Sequence, residues 1–245
     1  MINIRITIEY DGKDFNGWQK QPNKLNIQGE IERAIGIITG EEVEVIGSGR
    51  TDAGVNALAQ VANFKVSELK IPIDRLIYAI NSQLKKTIRI IKAEIVDDSF
   101  HSRYAAKKKT YRYTINNSIA GSAIYRNMQY HYPFKLDEVK MNEGAKYFIG
   151  EHDFKAFKAS GTSSKSSVRK IYDIKVYRDG DLINIELTGN GFLYNMVRII
   201  AGTLLEVGEG KISPNAIENI IKDGSRKNAG KTLPPSGLCL VSVEY

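Results

Sequence analysis

Cys239 is the only cysteine among 245 residues, so the chain cannot close an intrachain disulfide. Histidine is nearly as scarce: His101, His131 and His152 are scattered rather than spaced as ligands, which argues against a structural zinc site. No apolar run approaches the roughly 18 residues that a membrane span needs. Even the greasiest stretch, Met196 to Val207, carries Arg198 and Glu206. The start, Met1-Ile2-Asn3-Ile4-Arg5-Ile6, lacks the basic stretch and long apolar core of a signal peptide. Low-complexity sequence is also missing; the nearest is Ser160 to Ser167 (SGTSSKSS), which reads as a mobile loop. These absences lead us to expect a cytoplasmic protein with no membrane segment and no bound metal.

What is present points to a globular chain, with 42% hydrophobic and 26% charged residues. The length suits one large or two small domains. A net charge of +7 and an isoelectric point near 9.2 favour a polyanionic partner, although a solvated basic surface has the same composition.

Residues 2 to 10 alternate, with Ile2, Ile4, Ile6, Ile8 and Tyr10 on one face, and Asp11-Gly12 closes the run as a turn. A helix follows, striped by Ile27, Ile31, Ile35 and Ile38 and stopped by Gly40. Strands near 42–47 and 59–66, a helix over Asp74 to Leu84 and a strand over Ile88 to Val96 complete a β-α-β-β-α-β order. The second half offers the same order: a strand at Thr110 to Ile115, a helix at about Leu136 to Ile149, strands at Val168 to Tyr177 and Leu182 to Thr188, and a helix at Asn195 to Val207. An extra helix opened by Ser213-Pro214 and a strand at Leu238 to Val243 end it. The fold class is therefore α+β: two ferredoxin-like halves related by a pseudo-twofold, mainly antiparallel, with sheets joined or side by side and a central cleft between them. The division falls at 1–105 and 106–245.

Gly47-Ser48-Gly49-Arg50-Thr51-Asp52-Ala53-Gly54-Val55 is the densest motif. Its glycines permit close backbone approach. A Walker loop would need lysine where Val55 stands, and a dinucleotide fingerprint would need glycine where Asp52 stands, so a phosphate-loop reading fails. Asp52 alone could be a turn residue. With Arg50 two residues away, an extended backbone would set both side chains on one side, and the guanidinium would keep the carboxylate ionised to act as nucleophile or base. Arg198 is the second anomaly, a charge inside an almost wholly apolar helix, either snorkelling or paired with a carboxylate or phosphate. In Arg103 to Tyr113, the basic residues Arg103, Lys107, Lys108, Lys109 and Arg112 interleave with Tyr104, Tyr111 and Tyr113. Phosphate neutralisation plus stacking is what a flipped nucleotide requires; Tyr113 is better read as core. Lys155, Lys158, Lys165, Arg169, Lys170, Arg226, Lys227 and Lys231 fit an extended RNA-facing surface, though each alone reads as merely exposed.

Further stretches stand in order around these: Tyr10-Asp11-Gly12 to Phe15, Gly17-Trp18-Gln19, Phe100-His101-Ser102-Arg103, Asp153-Phe154, Met196-Val197-Arg198, Gly202 and Pro235-Ser236-Gly237-Leu238. The whole set resembles the tRNA pseudouridine synthase A family, with one departure: Asn56 stands where the family usually carries histidine. The resemblance implies that Asp52 is the catalytic nucleophile, that Arg198 pairs with it, and that Arg50 helps hold the flipped nucleotide. It implies that Tyr111 stacks on the target base; beside it, Arg103, Lys107, Lys108 and Lys109 of the basic stretch and Leu238 are expected to contact substrate. It also implies a homodimer that isomerises uridine at positions 38 to 40 of the tRNA anticodon arm, with no metal or organic cofactor.

Two other classes share parts of this pattern. A non-catalytic RNA chaperone would carry the charge and the basic aromatic stretch without needing Arg50, Asp52 and Arg198 together. A nucleoside hydrolase would use the same carboxylate but release free uracil. Phosphoryl transfer fits worst, because the glycine loop lacks its lysine.

Overall fold

Alternation over Ile2–Tyr10 builds the first strand, β1, and buries Ile4, Ile6 and Ile8 completely. The computed structural model describes residues 1–161 and 166–245; the loop expected over Ser160 to Ser167, and Lys165 among the basic residues, fall partly or wholly outside them. The described residues form two units, Met1–Lys107 with Leu240–Tyr245, and Lys108–Cys239. The last six residues thus belong to the first unit rather than to a continuous 106–245 segment.

In the first unit, β1 is followed by helix α1 (Ile27–Thr39), the short strand β2 (Ile46–Gly47), strand β3 (Asn56–Val66), helix α2 (Ile73–Gln83) and strand β4 (Ile88–Val96). Helix α1 starts where Asn26 Oδ1 accepts the Gly29 N–H at 2.8 Å and stops at Gly40, whose φ of 75° few other residues adopt. Ile27, Ile31 and Ile35 of its stripe are fully buried and Ile38 is half-buried; in the sheet, β1 lies between β4 and β3, antiparallel to both. The expected strand over 42–47 shrinks to two residues. The physical reason is at Val45, whose N–H donates to the Glu32 carboxylate of α1 at 3.1 Å instead of to a neighbouring strand. On the other face of β1, Asn3 is buried but satisfied: its amide donates to the carbonyls of Asp97 and Phe100, each at 2.9 Å.

The second unit holds strands β5 (Lys108–Asn116) and β6 (Tyr130–His131), helix α3 (Glu138–Ala145), strands β7 (Gly150–Asp153), β8 (Val168–Asp179) and β9 (Leu182–Gly189), and helices α4 (Met196–Gly208) and α5 (Ala216–Asp223). Its strands run β5-β9-β8-β7, antiparallel at each step, with β6 parallel to β5. Neither β6 nor β7 was legible as a strand, because two residues and the polar Gly-Glu-His-Asp carry no alternation. The final strand, β10 (Leu238–Glu244), neighbours β3 in the first unit from Leu240 onward.

Tyr132, after β6, donates a very short hydrogen bond to the Glu209 carboxylate. Burial, and then that carboxylate, push its phenol up to about 12. Because the folded pKa is raised above the unfolded value of 10.0, the stability this group contributes is complete below pH 10 and is lost as pH rises towards 12. Urea midpoints of the wild type should therefore fall more steeply between pH 10 and 12 than those of Tyr132→Phe; parallel curves would show the bond is immaterial.

Candidate active site

The glycine-rich loop between β2 and β3 is held by the segment that follows β1, and both sides of Asp52 are gripped through backbone. Tyr10 and Thr51 share a buried hydroxyl hydrogen bond at 2.8 Å. The Trp18 N–H donates to the Thr51 carbonyl at 3.1 Å, and the Gly54 N–H to the Phe15 carbonyl at 3.3 Å. Asp52 is half-buried, and its carbonyl accepts the Val55 N–H at 3.1 Å to close the turn. A Cβ on Gly12 would lie 2.1 Å from the Val55 carbonyl oxygen, and one on Gly17 would lie 2.5 Å from that of Thr51. Gly17 also has a φ of 85°. The glycines of the Tyr10 to Gln19 stretch thus let two backbones touch where any side chain would push the loop away.

At the far side of the loop, Ser48 donates to Gln60 Oε1 at 2.7 Å and Gln60 Nε2 donates to the Gly49 carbonyl at 3.0 Å. Asn56 is buried, and its side-chain oxygen accepts the Gly12 N–H at 2.8 Å. Asn56 therefore ties the loop's exit to the glycine against which that exit packs. Arg50 is exposed and donates through Nε to Gln19 Oε1 at 3.0 Å. Residues 50–52 lie outside β2 and β3, so strand alternation does not place Arg50 and Asp52 on one side.

Arg103 and Lys107 belong to the first unit and are exposed; the Arg103 guanidinium lies 5.9 Å from the centroid of the Tyr104 ring. Lys108, Lys109, Tyr111, Arg198 and Leu238 belong to the second unit. Tyr111, Tyr113 and Ile115 share the buried face of β5. The Tyr111 ring meets Phe192 edge-on at 5.2 Å and is 8% exposed. Tyr113, read as core, is fully buried and donates to the Pro234 carbonyl at 2.8 Å; burial drives its phenol far above the usual range.

Arg198 sits in the first turn of α4, half-buried. Its Nε donates to the Leu233 carbonyl at 2.6 Å and Nη1 to Asn195 Oδ1 at 2.8 Å. The carbonyl of Arg198 in turn accepts the Leu233 N–H at 3.3 Å. Residues 233–238 therefore gather Arg198, Tyr113 and Leu238, the last buried just after a 3-10 turn at Pro235–Gly237.

Several basic residues have structural partners instead of open surfaces. Arg112 pairs across strands with Glu186 at 2.7 Å, and that carboxylate raises its pKa. Arg226 donates to the carbonyls of Ala229 and Gly230 at 3.1 and 2.9 Å. Lys108 and Lys170 are exposed, and each lies 5.7 Å from the Tyr172 ring centroid, a cationic and aromatic cluster suited to RNA. The roles of Tyr10, Gly12, Gly17 and Thr51 as clamps were missed by sequence reasoning; the one available signal was paired glycines flanking aromatics. Among the described residues no group of three or more His, Cys, Asp or Glu could hold a metal, and no helix is long and apolar enough to cross a membrane.

Comparison with known proteins gives a family model described as tRNA pseudouridine synthase, matching residues 6–105 and 145–245. Similar relatives carry the name tRNA pseudouridine synthase A. The protein from Caldicellulosiruptor saccharolyticus is 53% identical over 245 residues and that from Acetivibrio thermocellus 51%, each comparison covering 100% of both chains. A relative from Clostridium perfringens, named tRNA pseudouridine synthase A 2, is 51% identical with the same full coverage.

Proposed function

This chain belongs to the tRNA pseudouridine synthase family, and from that premise we propose that it isomerises uridine to pseudouridine at positions 38 to 40 of the tRNA anticodon stem-loop, with Asp52 as nucleophile. The observation that carries the reading is the Asp52 loop itself: a half-buried carboxylate on a turn held from both sides by backbone contacts, inside the segment the family model matches. Such a frame fixes where a carboxylate points before substrate arrives. The first unit's order of elements, with β1 between β4 and β3 and β2 on β3, supports a ferredoxin-like half. In the second unit the run β5-β9-β8 is the matching part of the same pattern. A homodimer working in the cytoplasm belongs to the same proposal.

The reaction breaks N1–C1′, turns the base and joins C5 to C1′, while the C5 proton is lost and N1 gains one. No outside electrons or atoms enter, so the side chains need only unstack, hold and rejoin the base. Unstacking costs a few kcal/mol, offset by stacking and phosphate contacts. Tyr111 is the ring we assign to the target base, with Arg103, Lys107, Lys108 and Lys109 for phosphates, Leu238 as an apolar contact and Arg198 as the cation that balances the reacting carboxylate. Attack at C1′, attack at C6 and proton removal at C2′ all require an ionised carboxylate, the property Asp52 supplies.

Mapping pseudouridine in tRNA transcripts after incubation with purified protein tests the reading. Pseudouridine at the anticodon arm supports it; free uracil would make the protein a nucleoside hydrolase, and binding without either product would make it an RNA-binding module. Tyr111 has its own test. Tyr111→Phe keeps the edge contact with Phe192 and should stay within about tenfold of wild type, whereas Tyr111→Ala should lose about 100-fold in turnover. Equal, small losses in folded variants would remove Tyr111 from the site.

A further inference from the structure

Glu32 on α1 is buried, charged and far in sequence from the Asp52 loop. Three donors satisfy its carboxylate: Gln28 Nε2 at 2.8 Å and the Val45 N–H at 3.1 Å on Oε1, and Lys20 Nζ at 2.8 Å on Oε2. From Gln28 the bonds continue outward. Gln28 Oε1 accepts Gln19 Nε2 at 2.8 Å and the Lys20 N–H at 3.0 Å, and Gln19 Oε1 accepts Arg50 Nε at 3.0 Å. Four side chains from three places in the sequence thus form one chain that ends two residues from Asp52.

The direction of this chain is determined by chemistry at its two ends. A carboxylate only accepts and a guanidinium only donates. Each glutamine between them must therefore turn its NH2 towards Glu32 and its oxygen towards Arg50; the Lys20 N–H on Gln28 Oε1 enforces the same sense. A reversed amide would set donor against donor at Arg50, so the chain has one low-energy state. Fixing Nε in this way leaves the donors of the terminal nitrogens for an anion, in an orientation set by buried protein instead of by solvent.

We propose that Glu32, Gln28 and Gln19 are positioning residues that hold the Arg50 guanidinium for the flipped nucleotide. The proposal rests on the reading of the Asp52 loop as the reaction site. None of the three touches substrate; they act through Arg50. Arg50 meets the nucleotide once it has left the stack, so the effect falls on turnover and not on docking of the tRNA body.

The test is a double-mutant cycle in pseudouridine formation on tRNA transcripts, using Gln19→Met, Arg50→Ala and the pair, with Asp52→Asn as reference. Gln19 is half-buried, and methionine retains its length without its amide. Gln19→Met should lower kcat about tenfold with KM changed less than about twofold, and should have no further effect in the Arg50→Ala background. A role confined to packing would give the same loss in both backgrounds and overturn the proposal, as would wild-type turnover by Gln19→Met. Glu32→Gln introduces a donor at the inner end, removes the directional constraint and should reproduce the kcat loss. If Asp52→Asn is inactive while Gln19→Met is fully active, the positioning chain fails alone; if Asp52→Asn turns over normally, the catalytic reading has failed.

Discussion

Asp52→Asn should abolish pseudouridine formation by roughly 10³-fold or more while leaving tRNA affinity within about twofold. The substitution keeps size and shape, removes the negative charge and turns one accepting oxygen into a donating NH2. Loop geometry should survive it, because backbone and hydroxyl bonds that the substitution leaves in place hold the turn: the Asp52 carbonyl with the Val55 N–H, the Thr51 carbonyl with the Trp18 N–H, and the hydroxyls of Tyr10 and Thr51. A neutral amide cannot attack a sugar or base carbon or accept a proton from C2′ at useful rates, so all three routes fail together. Release of tritium from 5-tritiated uridine in tRNA measures turnover, and filter binding measures affinity. Turnover at the wild-type rate would remove Asp52 from the chemistry; equal loss of turnover and binding would recast it as a folding residue.

Gly202→Ala should be the most damaging substitution outside that loop, destabilising the protein by about 3 kcal/mol or more. Its Cβ would lie 1.8 Å from the Lys231 carbonyl oxygen, a distance no rotamer can relieve because both partners are backbone. Gly230 makes the reciprocal approach, 2.6 Å from the Thr203 nitrogen for its own added Cβ, and its N–H donates to Thr203 Oγ1 at 2.9 Å. Helix α4 therefore meets residues 229–233 through two glycines. One turn earlier, that contact sets the register in which Arg198 holds Leu233. Forcing the segment outward should strip Arg198 of its carbonyl partner and draw Pro234 from Tyr113, so activity should fall further than stability alone explains. Gly210→Ala is the control: its φ of 77° is strained for alanine, but nothing lies within 4 Å, so a loss of about 1 kcal/mol is expected. Urea unfolding of both variants checks the contrast, and equal losses would show that the crossing at Gly202 yields to a Cβ at no more cost than a strained φ at Gly210.

Periodicity made much of the secondary structure legible. The alternation of β1, the isoleucine stripe of α1 and its stop at Gly40 appear where the sequence placed them, because each depends on residues at most four apart. The stretch 42–45 did not, since Val45 donates to Glu32, thirteen residues away. Arg112 looked like an RNA contact in its basic context, but its partner Glu186 lies opposite on β9. Arg226 likewise read as surface charge and instead braces the loop that meets α4.

The sequence alone determined which residues carry chemical potential here: one carboxylate in a glycine loop, an arginine in an apolar helix, tyrosines among lysines, and their ordered resemblance to one enzyme family. Tertiary structure decided what holds them. Gly12 against Val55, Gly17 against Thr51, Gly202 against Lys231 and Glu32 linked to Arg50 are contacts between segments distant in sequence. Local pattern encodes which way a side chain faces along its own element. Only packing brings two distant backbones within van der Waals contact, and at that distance the absence of a Cβ or the direction of an amide becomes decisive.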